Sequence, residues 1–177
     1  MSSFKIRQYQ LNDVAEVYAA ADESREHVGK WMSWMTPNYA QTDAHRWVEH
    51  AVTSWEKGSE YEHVIVDAKG SVVGACGLNN LNRNDLVCNL GYWVRTSRLG
   101  EGAAREAALL LREFGFRTLH FNRLEIVVAV GNSYSRHVAE SVGAHHEGIQ
   151  RMRIKVGEVA HDAHMYAFIN EAVQSIA

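Results

Sequence analysis

Cysteine, proline and long apolar runs are what this chain has least of. Its 177 residues hold two cysteines, Cys76 and Cys88, and one proline, Pro37. Two cysteines inside strand-like runs make no disulfide framework and suit a reducing, cytoplasmic compartment. A single proline, with no repeat and no low-complexity stretch, offers no linker, so one domain over residues 1–177 is expected. No apolar run approaches the ~20 residues of a membrane span, and the N-terminus lacks a signal-peptide pattern. Neither membrane nor nucleic acid is therefore an expected partner, the latter because a net charge of −3 gives it no electrostatic hold.

Metal-ligand spacing is also missing, although there are 10 histidines. His161 and His164 are three apart on a strand-like run and would face opposite ways. His45 and His50 are five apart on a helical run and would diverge by more than a right angle. No metal site is expected.

What is present is an ordered series of elements. "FKIRQY" (4–9) alternates like a strand, and residues 11–28 carry helical spacing at Leu11, Val14, Ala15, Tyr18 and Ala19. An aromatic loop or short helix follows, then a helix capped by Thr42 or Asp43 and running to about Gly58. "YEHVIVDA", "SVVGACGLN" and "LVCNLGYWV" read as three strands, the first two joined by a tight turn at Lys69-Gly70. "EGAAREAALLLREFGFRTL" is an amphipathic helix, "RLEIVVAV" a strand, "NSYSRHVAESVG" a short helix. Two strands closing across Gly157 end the series. The fold class is α/β, a mixed sheet with helices on its faces.

The segment "SRLGEGAAREA" (97–107) sets an arginine and two glycines at the mouth of a helix. The first N–H groups of a helix lack intrahelical partners and lie at the positive end of its dipole, so a strand, glycine turn and helix start together suggest an anion site. A P-loop would need Lys-Ser/Thr after the second glycine, where Ala103 and Ala104 stand. A dinucleotide fingerprint would need a small residue at Arg105 and a doubly wound order. The diphosphate of an acyl carrier remains, fitted by Arg98-Leu99-Gly100-Glu101-Gly102-Ala103 as Arg/Gln-x-x-Gly-x-Gly/Ala. An ordinary loop-to-helix junction uses such glycines too, and Glu101 opposes an anion there.

Three further motifs stand in order with this one: "HVGKWMSWM", "NLGYWV" and "NSYSRHVAESVGAHHEG". Together they resemble the GCN5-related N-acetyltransferases, in particular the branch that acetylates the N-termini of ribosomal proteins. The resemblance runs over residues 31–168. It implies a strongly twisted, mostly antiparallel sheet of about seven strands in which the fourth and fifth are parallel and splay apart, with helices on both faces. Acetyl-CoA would be the acetyl donor. Trp93 and Val94 would meet its thioester end, and the backbone of Leu99, Gly100, Glu101, Gly102, Ala103 and Ala104 its diphosphate, with charge from Arg98. Asn132 would bond the pantetheine arm, and Arg136 would reach an outer phosphate.

Amide formation from a thioester needs a neutral amine, a polarised carbonyl and a protonated thiolate. The resemblance makes the Val94 N–H the polariser. The tyrosine that the wider family uses as acid would fall at Ala139; Ser135 is the branch's other donor, though it also reads as a polar residue in a first helical turn. The family's acids would fall at Asn89 and Ile154, neither of which takes a proton. A water chain is then the default base, with His63, His145 and His164 as unranked alternatives. An α-amine, with a pKa of ~7.7–8.0, needs little help.

Trp31, Trp34, Met35 and Tyr92 are the expected acceptor contacts. The two tryptophans, three apart, would share one face of a helical turn, serving either as a groove wall or as a staple for the insertion. The expected activity is acetylation of a primary amine, foremost a protein N-terminus of the Ser/Ala type. The alternatives are a small-molecule amine, such as an antibiotic or aminoacyl-nucleotide toxin, and a non-catalytic coenzyme A sensor. A homodimer is possible in such a family.

Overall fold

A computed structural model describes residues 4–173. Its seven strands are β1 (Phe4–Gln8), β2 (Tyr61–Asp67), β3 (Val72–Asn82), β4 (Val87–Val94), β5 (Arg123–Ala129), β6 (His145–Val156) and β7 (Val159–Ile169). Its helices are α1 (Val14–Asp22), α2 (Arg25–Gly29), α3 (Gln41–Lys57), α4 (Ala103–Arg117) and α5 (Ser133–Ser141). The strands form one sheet in the order β1-β2-β3-β4-β5-β7-β6, and only β4 and β5 run parallel.

Each face of the sheet has its own core. Val64, Val66, Val72 and Ala75 point to the face covered by α1 and α3, against Val17, Ala44, Val48 and Ala51. Ile65, Cys76, Leu78 and Leu90 point the other way, against Ala107 and Leu111 of α4 and Ala139 of α5. Strand alternation assigns these sides. Each face removes its apolar side chains from water, the main favourable term in folding.

The helix expected over residues 11–28 is broken. A 3-10 turn at Leu11–Asp13 precedes α1, and the chain turns again at Glu23 and Ser24. Ser24 is fully buried; its hydroxyl donates to the Ala20 carbonyl (2.7 Å) and accepts from the Thr96 N–H (3.0 Å). Glu23 accepts from the Ser97 N–H (3.1 Å) and hydroxyl (2.8 Å) and pairs with Arg95. The Arg95 guanidinium holds the Glu23 carboxyl down at about 2. The break in the helix thus anchors the loop that follows β4. The third helix starts one residue before the expected caps, at Gln41; Asp43 sits inside it and accepts from the Ala40 N–H (2.8 Å). Gly58 ends it in the left-handed region (φ +65°), where glycine carries no side-chain penalty.

Candidate active site

The parallel pair β4–β5 is joined only at Val87↔Arg123, Cys88↔Leu124 and Asn89↔Glu125. From Leu90 onward β4 has no partner on that side, and Ile126–Ala129 of β5 pair with β7 alone. The Arg95 N–H donates to the Val73 carbonyl (2.9 Å). Alternation along the strand therefore turns the N–H groups of Val94 and Tyr92 away from β3 and into the opening. Two facing rows of unpaired main chain border one cavity of about 840 Å³, lined by both strands, Asn132, Ser135 and residues of the 31–36 segment.

Between β4 and α4, Gly100 and Gly102 hold φ of +80° and +88°, a region that side chains rarely enter. A Cβ at either would meet nothing within 4 Å, so the space above both is open. Gly102 is the N-cap of the 15-residue α4 and supplies no side-chain cap to the first N–H groups. An open cradle of backbone donors at a dipole's positive end fits a diphosphate. Arg98 is not a free cation beside it. Its Nη1 pairs with Asp67 (2.9 Å) and its Nε with Glu101 (2.9 Å). Arg136, half exposed, pairs with Glu140 (2.8 Å), which also accepts from the Tyr166 hydroxyl.

On the α4/α5 side of the wedge, Asn132 caps α5, its Oδ1 accepting from the Ser135 N–H (3.1 Å). That leaves its Nδ2 as the group free to reach a ligand. The Tyr92 hydroxyl donates to the Ser135 carbonyl (3.1 Å) and lies 3.2 Å from Ser135 Oγ. Burial pushes the Tyr92 phenol up to about 12. Tyr92, expected among the acceptor contacts, thus sits with the candidate acid Ser135.

On the α1/α3 side the tryptophans do not share a helical face, because residues 31–36 form turns rather than a helix. Trp34 packs against Trp93 and Tyr39, each at 5.6 Å between ring centroids. Trp31 reaches the turn after β5, 3.5 Å from where a Gly131 Cβ would stand. Both line the cavity, as does Met32. Met35 is buried in the core against Gly29 instead.

None of the three histidine candidates fits a base. His63 is buried edge-on to Trp55 (4.7 Å between centroids) on the α4 face, and burial lowers it to about 4. His164 bonds His146 (3.1 Å) on the exposed hairpin, and His145 is exposed; neither lines the cavity. Asn89 and Ile154 do line it, without a titratable group between them.

A carboxylate that sequence reasoning passed over is there nonetheless. Glu62 is 6 % exposed and lines the cavity from β2. Its Oε1 accepts from Asn79 Nδ2 (3.0 Å), and Asn79 Oδ1 accepts from Asn89 Nδ2 (2.9 Å). Burial pushes its carboxyl above the ordinary carboxylate value. The available signal was a charged residue in phase with inward-pointing Val64 and Val66. Among the described residues no cluster of three metal-binding side chains occurs, and no helix is long and apolar enough to cross a membrane.

A splayed parallel pair bordering a cavity, together with a glycine cradle at a helix start, defines an acyl-carrier-dependent transferase. The acetyltransferase (GNAT) domain family matches residues 4–145, and the chain belongs to it. It is an acetyl-CoA-dependent N-acetyltransferase. The Bacillus subtilis protein YdaF, provisionally named a ribosomal N-acetyltransferase, is 28% identical over 169 residues, 93% of this chain and 90% of its own. Among solved structures of similar fold, RimL, a ribosomal L7/L12 alpha-N-protein acetyltransferase in complex with coenzyme A, has a TM-score of 0.86, 20% identity and 97% coverage of both chains. The microcin C7 self-immunity acetyltransferase MccE, in complex with acetyl-CoA and AMP, has a TM-score of 0.87 at 19% identity, covering 96% of this chain and 94% of its own.

Proposed function

We propose that this enzyme acetylates the N-terminal α-amino group of a protein, of the Ser/Ala type found on ribosomal proteins. The observation that carries the reading is the pair of facing unpaired strand edges. One, on β4, suits the amides of a pantetheine arm; the other, on β5, suits the main chain of an extended peptide. The name of YdaF and the activity of RimL point to the same acceptor class.

Bound acetyl-CoA supplies the thioester carbon and a sulfur leaving group. The backbone of Leu99 to Ala104 holds its diphosphate. Arg98 acts by fixing that loop to Asp67 and Glu101 rather than by adding free charge. Asn132 Nδ2 donates to the arm, and Trp93 backs the thioester end. The Val94 N–H, directed into the wedge, donates to the carbonyl oxygen as charge develops there. The Ser135 hydroxyl, 3.2 Å from the Tyr92 hydroxyl, gives the departing sulfur its proton and is resupplied through Tyr92. Two free, buried cysteines suit a cytoplasmic enzyme, and the exposed Ile149, Met152 and Val159 of the terminal hairpin suit pairing into a homodimer.

A second reading rests on the aromatic lining. Trp31, Trp34, Tyr39, Trp47 and Trp93 all border the cavity and would stack on a ring-bearing small amine. MccE was solved with AMP beside acetyl-CoA. One screen decides. Thiol release and mass detection of the acetyl group are followed for peptides starting in Ser or Ala and for a panel of aromatic and nucleoside amines. Turnover on peptides is expected; turnover confined to small amines would replace the first reading with the second.

A further inference from the structure

Glu62, Gly77 and Gly91 lie in register across three adjacent strands: Glu62 faces Gly77, and Gly77 faces Gly91. Residues directly opposite share a face of the sheet, here the one covered by α1 and α3. The Glu62 side chain is laid across Gly77. A Cβ there would stand 2.0 Å from Oε2, so the missing side chain makes room for the carboxylate. Gly91 leaves the next position equally bare, its nearest neighbour being Asn89 Nδ2 at 3.7 Å. The carboxylate thus ends about one strand spacing (~4.8 Å) from β4. It arrives where β4, two residues past its last pairing with β5, has begun to splay. Asn79 occupies Oε1; no described side chain or main-chain group bonds Oε2, and Glu62 is among the residues that line the cavity.

Buried carboxylates without an ion pair are costly and rarely kept for stability alone. This one lacks an arginine or lysine partner and is held by a single amide, on the face opposite Ser135 and Tyr92. Donor and acceptor sides of the wedge would then carry separate proton machinery: an acid on the α5 side and a base on the α3 side.

We propose that Glu62 is the general base of this enzyme, its Oε2 taking a proton from the ammonium form of the acceptor while Asn79 and Asn89 hold the carboxylate in place. The inference rests on the acceptor being an amine bound on the α1/α3 face. The nitrogen–hydrogen bond of the ammonium breaks, its electron pair stays on nitrogen, and the proton forms an O–H bond on Glu62. The neutral amine then forms the C–N bond as the C–S bond breaks with its electron pair on sulfur. The second proton shed by nitrogen balances the thiol, and Glu62 returns its proton to water on product release. The sequence therefore carries its base on β2 and not at Asn89 on β4; the two positions are linked through Asn79.

The test is kcat/KM against pH for wild type, Glu62→Gln and Glu62→Asp on a Ser-initial peptide. Glutamine keeps the shape and the bond from Asn79 but takes no proton. A general base is worth ~10²–10⁴-fold, and less when the amine is already one-tenth neutral, as at pH 7 for a pKa of ~8. Glu62→Gln should lose about 10–100-fold at pH 7. Its rate should then rise about tenfold between pH 7 and 9, while wild type changes by less than about threefold. Glu62→Asp should be slower than wild type but keep the flat profile. The charged or titratable groups that act electrostatically on Glu62 are His50 on α3, Glu60 beside it, Cys76 on β3 and Tyr9 after β1, and Asp43, Arg46, Arg153 and Lys155 line the same cavity. All are common to the three proteins, so a difference in profile belongs to residue 62. Coenzyme A affinity, read by calorimetry, should stay within about threefold and reports intact folding. Profiles of one shape in wild type and Glu62→Gln would overturn the proposal. Inert peptides with an active small amine would overturn the N-terminal reading alone, and the same comparison then proceeds on that amine. Acetylation of no amine would overturn both.

Discussion

Replacing Gly77 with alanine puts the placement of Glu62 under direct load. The added Cβ would lie 2.0 Å from Oε2, 2.4 Å from Cδ and 2.7 Å from Oε1 of Glu62. Carbon and oxygen in ordinary contact stay ~3.5 Å apart, so the carboxylate must withdraw by more than ~1 Å. Withdrawal breaks the 3.0 Å bond from Asn79. That loss costs ~1 kcal/mol, and up to ~3 kcal/mol if the buried group finds no other partner. Alanine also restricts the unfolded chain, a gain of ~0.4–1 kcal/mol where the backbone tolerates it, and Gly77 is an ordinary strand residue without positive φ. The net expectation is a destabilisation of ~1–2 kcal/mol, or a melting temperature lower by ~2–8 °C. In a Glu62→Ala background the obstruction is gone, and the same substitution should be neutral or stabilising. Denaturation of the four proteins completes a double-mutant cycle with an expected coupling of ~1–3 kcal/mol. Coupling under ~0.5 kcal/mol would show that the carboxylate does not lie over Gly77 and would refute the reasoning.

Glu62→Gln should be more stable than wild type at pH 8. Burial raises the Glu62 pKa on folding, so the folded protein binds more protons and loses stability as pH climbs past the ordinary carboxylate value of 4.5; melting curves should show the advantage shrinking toward pH 5. Gly102→Val forces a branched residue to φ +88° and fills the open cradle; coenzyme A should bind at least ~10-fold more weakly, with strain of ~1–3 kcal/mol seen on melting. Ser135→Ala should reduce kcat by ~10²-fold with little change in coenzyme A affinity, and Tyr92→Phe by less, since it only resupplies the proton; equal rates in single-turnover assays would remove Ser135 from the acid role.

The glycine turn at the start of α4 and the Asn132 cap of α5 were legible because their signals are local, whereas the splay of β4 from β5 was implied by the family resemblance alone. Two glycines before an alanine-rich helix, and an asparagine three residues ahead of a serine, state their backbone roles within one turn. Long-range pairings were not legible. The helix over 11–28 breaks because Ser24 and Glu23 serve the loop after β4, some 70 residues on, which no periodicity records. The charge of Arg98 is taken up by Asp67, 31 positions earlier. Trp31 and Trp34 carry helical spacing but lie in turns. Glu62 was hidden for the same reason: an inward carboxylate on a strand becomes intelligible only when β2 and β3 are paired and Gly77 falls opposite.

The acyl-carrier wedge itself is tested most directly by titrating the protein calorimetrically with coenzyme A and, separately, with pantetheine. Coenzyme A should bind one-to-one with a Kd of ~1–100 μM. Pantetheine, which has the arm but no diphosphate, should bind at least ~100-fold more weakly. Equal affinities, or no heat from coenzyme A at millimolar concentration, would contradict the account.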